Sequence, residues 1–168
     1  VKTCGRSLMA QGLVKGKKWF SLTADYAFGH DLLRVAKRFM QANGGDFAAD
    51  KLVPTDATDF SPLLLEIRSA KPDLVISNLA GNQITNFLKQ YSEAGLRGQF
   101  PLYSVYTVDE LTIPAVKHAA LGQLETRYWS QDLKNEANIR FVGDYRKKYG
   151  GKTPSFYGAQ SYDGIMLI

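Results

Sequence analysis

Five short β-like runs, at 19–23, 47–53, 74–77, 101–105 and 122–129, alternate with stretches whose apolar residues recur at helical spacing. That alternation constrains the chain more than any other feature. It describes a mostly parallel sheet covered by helices, an α/β architecture. The run Leu74-Val75-Ile76-Ser77 is nearly continuous in apolar residues, as expected of a strand buried on both faces. Between the runs, a helix over 30–42 is predicted to turn Leu32, Ala36, Phe39 and Met40 toward the sheet. Asn43-Gly44-Gly45 ends it, because these residues tolerate the left-handed conformation of a helix terminus.

The next helix has Asp59 as its expected N-cap, Pro62 in its first turn and a stripe of Phe60, Leu64 and Ile67. A third carries Ile84, Phe87, Leu88 and Tyr91 on one face and ends at Gly95. Three more are predicted: a short one over 109–118, a charged one over 135–149 with Phe141, Val142, Tyr145 and Tyr149 inward, and one beginning at Tyr157. The stretch 7–14 reads as the end of a further helix.

A length of 168 residues suits one core and is short for two ordinary domains, so residues 1–168 are expected to form a single ligand-binding lobe. The chain lacks an initiator Met and a signal-like apolar segment, and it stops inside an apolar stretch. It therefore reads as a fragment of a longer protein, with 1–16 and 155–168 near a hinge or at cut ends. No apolar run approaches the ~20 residues that span a bilayer. The net charge of +5 is scattered along the chain, which argues against a nucleic-acid partner. A single cysteine, Cys4, excludes an internal disulfide.

Catalytic and cofactor patterns are absent from the sequence. It has no His-x-x-x-His or Cys-x-x-Cys spacing for a metal, and no phosphate-cradling Gly-x-x-x-x-Gly-Lys. It has neither a dinucleotide fingerprint after the first strand nor a nucleophile elbow. The expectation is a binding protein, with no cofactor, metal or catalytic residue.

In an open parallel sheet, ligands bind at the carboxyl ends of the strands, near the point where strand order reverses. Three loops leave strands there: 23–29, 78–82 and 106–110. They bring Asp25, Tyr26, Phe28, Asn78, Asn82, Tyr106, Thr107 and Asp109 to one edge. Aromatic walls with a few polar groups suit a small organic ligand. Each residue also has a plainer role open to it: Asp25 as a cap, Phe28 as a buried anchor, Asn78 as turn chemistry, and Tyr26, Tyr106 and Thr107 as packing or strand ends.

The loop Thr23-Ala24-Asp25-Tyr26-Ala27-Phe28-Gly29 resembles the Asp-x-x-Tyr-Gly-type loop of periplasmic receptors for branched-chain-amino-acid-type ABC transporters. Other stretches follow that family in order. They are Asp56-Ala57-Thr58-Asp59-Phe60-Ser61, Ala70-Lys71-Pro72-Asp73-Leu74-Val75, Leu88-Lys89-Gln90-Tyr91-Ser92-Glu93-Ala94-Gly95-Leu96, and Phe141-Val142-Gly143-Asp144-Tyr145 leading to Ala159-Gln160-Ser161-Tyr162-Asp163-Gly164. The resemblance implies a three-layer sandwich around a mostly parallel sheet, the second lobe of a type I periplasmic binding protein. It further implies a missing first lobe, a small-molecule ligand held between lobes, a membrane permease as partner, and a periplasmic or lipid-anchored extracytoplasmic location. On this resemblance Tyr26, Asn78, Ala80, Gly81, Tyr106 and Thr107 contact the ligand, and Asp109 is the acid nearest the place where amino-acid receptors meet an ammonium group. The Tyr128-Trp129-Ser130-Gln131-Asp132-Leu133 stretch looks more like the subgroup that handles aromatic or other organic acids. Two other readings stay open: an effector-binding domain of a sensor or transcription regulator with this fold, and an enzyme on a flavodoxin-like sheet.

Overall fold

A computed structural model describes residues 2–168. In chain order the elements are α1 (Lys2–Ala10), β1 (Lys18–Ala24), α2 (Ala27–Ala42), β2 (Asp46–Val53), α3 (Ser61–Ala70), β3 (Leu74–Asn78), α4 (Asn82–Glu93), β4 (Leu102–Val105), α5 (Ile113–Val116), β5 (Leu124–Thr126), α6 (Glu136–Lys148) and α7 (Phe156–Met166). All five strands lie in one parallel sheet, ordered β2-β1-β3-β4-β5. The order reverses at β1, whose neighbours are the strands before and after the crossover, so a crevice opens between the carboxyl ends of β1 and β3.

Side-chain alternation along the strands divides the interior into two layers. Trp19, Leu74, Ile76 and Tyr103 face α1 and α2, where Cys4, Leu8 and Met40 complete one cluster. Phe20, Leu22, Val75 and Leu102 face α3 and α4, meeting Phe60, Leu64, Ile67, Ile84, Phe87, Leu88 and Tyr91. Buried Leu74, Val75 and Ile76 confirm β3 as a strand covered on both faces. In α2 the inward residues are Leu33, Ala36 and Met40, with Leu32 partly exposed beside them. The helix starts three residues earlier than expected, at Ala27, and its buried face follows Gly29, Leu33, Ala36 and Met40.

Two other local expectations shift for physical reasons. Phe60, not Asp59, is the N-cap residue of α3, yet the Asp59 carboxylate still accepts from Ser61 N at 2.9 Å and Ser61 Oγ at 2.7 Å. The helix expected over 109–118 is a single turn, Ile113–Val116, followed by a 3-10 turn, Lys117–Ala120. Lys117, with φ of 46°, interrupts the helical path. Both ends of α6 lie where expected, and Asn135 caps it by accepting from Asn138 N at 2.9 Å.

The expected fifth strand is shorter, Leu124–Thr126, because the chain leaves the sheet edge after Thr126 to build a third cluster. Trp129, Val142, Phe156 and Ala159 form it, with Tyr106 and Phe141 against it. Asn138, buried in this cluster, accepts from Trp129 Nε1 at 2.6 Å and donates to the carbonyls of Gln131 and Leu133, each at 3.0 Å. One amide thus satisfies the polar groups of the loop that leads into α6. Tyr149, expected inward on α6, is instead 46% exposed, its ring 4.4 Å from that of Tyr145 on the outer side. Among the described residues no helix is long and apolar enough to cross a membrane.

Candidate functional site

The β1–α2 loop is built around Gly29. A Cβ there would stand 2.0 Å from the Ala24 carbonyl oxygen, so only glycine lets the first turn of α2 close over the end of β1. Gly29→Ala is expected to destabilise the fold by about 2 kcal/mol or more through overpacking against backbone, and to displace residues 25–28. Denaturant unfolding checks the first effect, and shifts of the loop amide resonances check the second.

With that turn closed, Asp25, Tyr26 and Phe28 all project from the carboxyl edge and are exposed. Asp25 accepts from, or pairs with, His30 Nε2 at 2.7 Å, so its carboxylate tethers the loop to the start of α2. The rings of Tyr26 and Phe28 are 6.0 Å apart, and Phe28 is 6.5 Å from Tyr106 at the end of β4. Tyr106 has a φ of 56°, in the left-handed region that a bulky residue adopts only when its surroundings enforce it. Here the enforcing contacts are aromatic. Tyr106 stacks on Phe156 at 5.8 Å and meets Tyr128 at 6.1 Å. The Tyr128 hydroxyl donates to the Phe156 carbonyl at 2.6 Å. Burial, and then the neighbouring Tyr157 phenol, push the Tyr26 hydroxyl above the ordinary tyrosine value.

The other expected site residues take different places. Thr107 and Asp109 are buried. Asp109 Oδ1 accepts from Leu111 N at 2.9 Å, Thr112 N at 2.8 Å and Thr112 Oγ1 at 3.0 Å, so this carboxylate is committed to its own turn. The Thr107 N–H donates to Glu125 at 3.2 Å and the Val108 N–H donates to it at 2.8 Å. Burial raises the Glu125 carboxyl above its usual value, opposed by Arg127, whose Nε lies 3.1 Å away. Asn78 is buried beneath the α1–α2 layer rather than presented at the edge. Ala80 and Gly81 do form the lip of the β3 loop. Gly81 has a φ of 57° with ψ of −135°, a conformation that favours glycine, and the Ala80 N–H donates to Gln83 at 3.4 Å.

Tyr26, Phe28 and Tyr106 are therefore brought together, with Ala80 and Gly81 on the neighbouring loop, while Asn78, Thr107 and Asp109 shape the loops from beneath. Sequence reasoning missed Tyr128, Phe156 and Tyr157. Its signal was present in the aromatic pairs Tyr128-Trp129 and Phe156-Tyr157, but an expected strand running through 129 hid the turn that aims Tyr128 back at β4. Among the described residues no group of three His, Cys, Asp or Glu side chains could hold a metal ion.

Comparison with known proteins identifies the family and the fold. A family model described as periplasmic binding protein matches residues 1–168. The Leu/Ile/Val-binding protein homolog 6 of Brucella suis is 28% identical over 158 residues, covering 90% of this chain and 40% of the relative. The chain thus spans about two fifths of the length of the curated relatives it matches. A solute binding protein of an ABC transporter from Rhodopseudomonas palustris BisB5, solved in complex with 3,4-dihydroxybenzoic acid, is 32% identical. It superposes with a TM-score of 0.79 over 97% of this chain and 44% of that one. A second solute binding protein from R. palustris, in complex with benzoate, is 27% identical with a TM-score of 0.85, again over 97% of this chain and 44% of its own.

Proposed function

The chain belongs to the periplasmic binding protein family, and from that premise we propose that it forms one wall of an extracytoplasmic receptor that delivers an aromatic organic acid to an ABC importer. Members of this family that it resembles are substrate-binding proteins, so the site needs contacts rather than a reaction. The observation that carries the reading is the aromatic row at the strand ends. Tyr26, Phe28, Tyr106 and Tyr128 run as neighbouring rings from the β1 loop to β5, and three of the four are at least 39% exposed. An aromatic ligand slid against them exchanges water for offset ring contacts. A second lobe, contributed by the rest of the polypeptide, supplies the opposite wall, and closure of the two presents the loaded receptor to a membrane permease.

One observation favours an amino-acid ligand instead. Glu110 Oε2, in the loop leaving β4, is buried with no hydrogen-bond partner among the described residues, and its other oxygen lies 3.8 Å from Arg127. An ammonium group would satisfy it. Calorimetry on the full-length protein separates the readings. Benzoate or 4-hydroxybenzoate is expected to bind at least 100-fold more tightly than leucine, a difference of about 2.7 kcal/mol. Leucine binding more tightly than either would replace the aromatic-acid reading with the amino-acid one. Tyr26→Ala and Tyr128→Ala are each expected to weaken binding of the aromatic acid about tenfold, since each removes one stacking ring. Tyr26 is 39% exposed and donates no side-chain hydrogen bond among the described residues, so the fold should tolerate its loss, whereas Tyr128→Ala also removes the bond to the Phe156 carbonyl and is read together with its unfolding midpoint.

A further inference from the structure

Asn78 stands out inside the lobe. It is 2% exposed, and neither its Nδ2 nor its Oδ1 has a hydrogen-bond partner among the described residues. A primary amide left wholly unpaired in an apolar interior is costly, and native proteins rarely tolerate it. The side chain lines a cavity with room of about 30 Å³ for water-sized occupants, lined also by Cys4 and Gly5 of α1, Leu32, Ala36 and Phe39 of α2, and residues of the sheet below. Thr126 at the end of β5 also lines it. Thr23 pairs in register with Asn78, and its hydroxyl lies 3.0 Å from that of Ser21, so a polar row crosses the sheet beside the cavity.

We propose that this cavity is an internal hydration site in which Asn78 holds one or two water molecules. A water needs about 10–15 Å³ of such room and two to four polar partners. The volume admits two, and the amide offers a donor and an acceptor side by side. The bound water also has a positional consequence. Asn78 is the last residue of β3, directly before the loop of Leu79, Ala80 and Gly81, so hydration fixes the strand end that sets the lip of the crevice. The inference is independent of what the crevice binds.

A high-resolution crystal structure of the protein, with and without xenon pressurisation, tests it. The expected result is ordered water density within hydrogen-bonding distance of both Asn78 Oδ1 and Nδ2, and no xenon in the cavity. An empty cavity, or one that takes up xenon in the parent protein, overturns the proposal, because dry apolar cavities bind such atoms and hydrated ones do not. Asn78→Leu, close in volume, is expected to abolish the water density. Persistence of the same waters in that variant overturns the role given to Asn78.

Discussion

Titration of the 168-residue chain with benzoate or 4-hydroxybenzoate is expected to show no binding tighter than about millimolar, at least a thousandfold weaker than the full-length protein. The reason lies in the exposure of the site. Tyr26, Phe28 and Tyr128 are 39%, 43% and 45% exposed and form a face rather than an enclosure. Pockets for small ligands typically bury about 70–90% of the ligand surface, and one wall covers only part of that. Association first has to offset lost translational and rotational freedom, a cost of at least about 4 kcal/mol. The contacts of the first wall are largely consumed by that cost, and those of the second wall then appear almost entirely as affinity. Millimolar binding corresponds to about 4 kcal/mol, and a thousandfold gain on closure adds a similar amount. Submicromolar binding by the chain alone would mean that the site is complete within these residues, and the two-walled geometry would have to be abandoned.

The largest effect on stability is expected at Phe87. Phe87→Ala should cost about 3–5 kcal/mol, by loss of transfer free energy and by the cavity left behind. For a chain of this size that lowers Tm by roughly 10 °C. Phe87 is 0% exposed, on the face of α4 that meets the sheet. Its ring lies 5.4 Å from Phe60 and 5.3 Å from Tyr91, so it joins α4 to the start of α3. Collapse around the missing ring is limited because Tyr91 is itself pinned, its hydroxyl donating to the Phe100 carbonyl at 2.8 Å. Burial raises that hydroxyl well above the ordinary tyrosine value, so the bond persists through the neutral and mildly alkaline range. Tyr149→Ala, at the exposed residue just past the end of α6, is the control, with an effect expected within about 0.5 kcal/mol. Equilibrium denaturation of the two variants decides the matter. A loss below about 1 kcal/mol for Phe87→Ala would show that the α3–α4 layer is not packed as described.

Much of the architecture was legible residue by residue. A two-residue period and a 3.6-residue period are distinct within ten residues of sequence, which is why the first four strands and the helices carrying Leu64 and Ile67, or Phe87 and Tyr91, fall where the sequence puts them. The misplacements occur where local signals are weak or are overridden by contacts. The segment after Asp109 has helical composition, but its carboxylate closes a tight turn with Thr112 and shortens the helix. The fifth strand ends early because Trp129 finds Asn138 and Phe141 rather than a sheet partner. Tyr149 continues the spacing of Phe141, Val142 and Tyr145, yet the cluster it points along closes one turn before it.

The alternation of elements, the parallel sheet and the three loops at one edge are properties of sequence pattern, since each depends on neighbours within a few positions. Which side of β1 each crossover returns to is not such a property, and from it follow the order β2-β1-β3-β4-β5 and the crevice beside β3. The same holds for the aromatic row. Phe28, Tyr106, Tyr128 and Phe156 are far apart along the chain and adjacent in space because a third cluster folds α7 back toward the strand ends. Periodicity records which face of an element is apolar, not which distant face it meets; that choice is made by burial summed over the whole molecule.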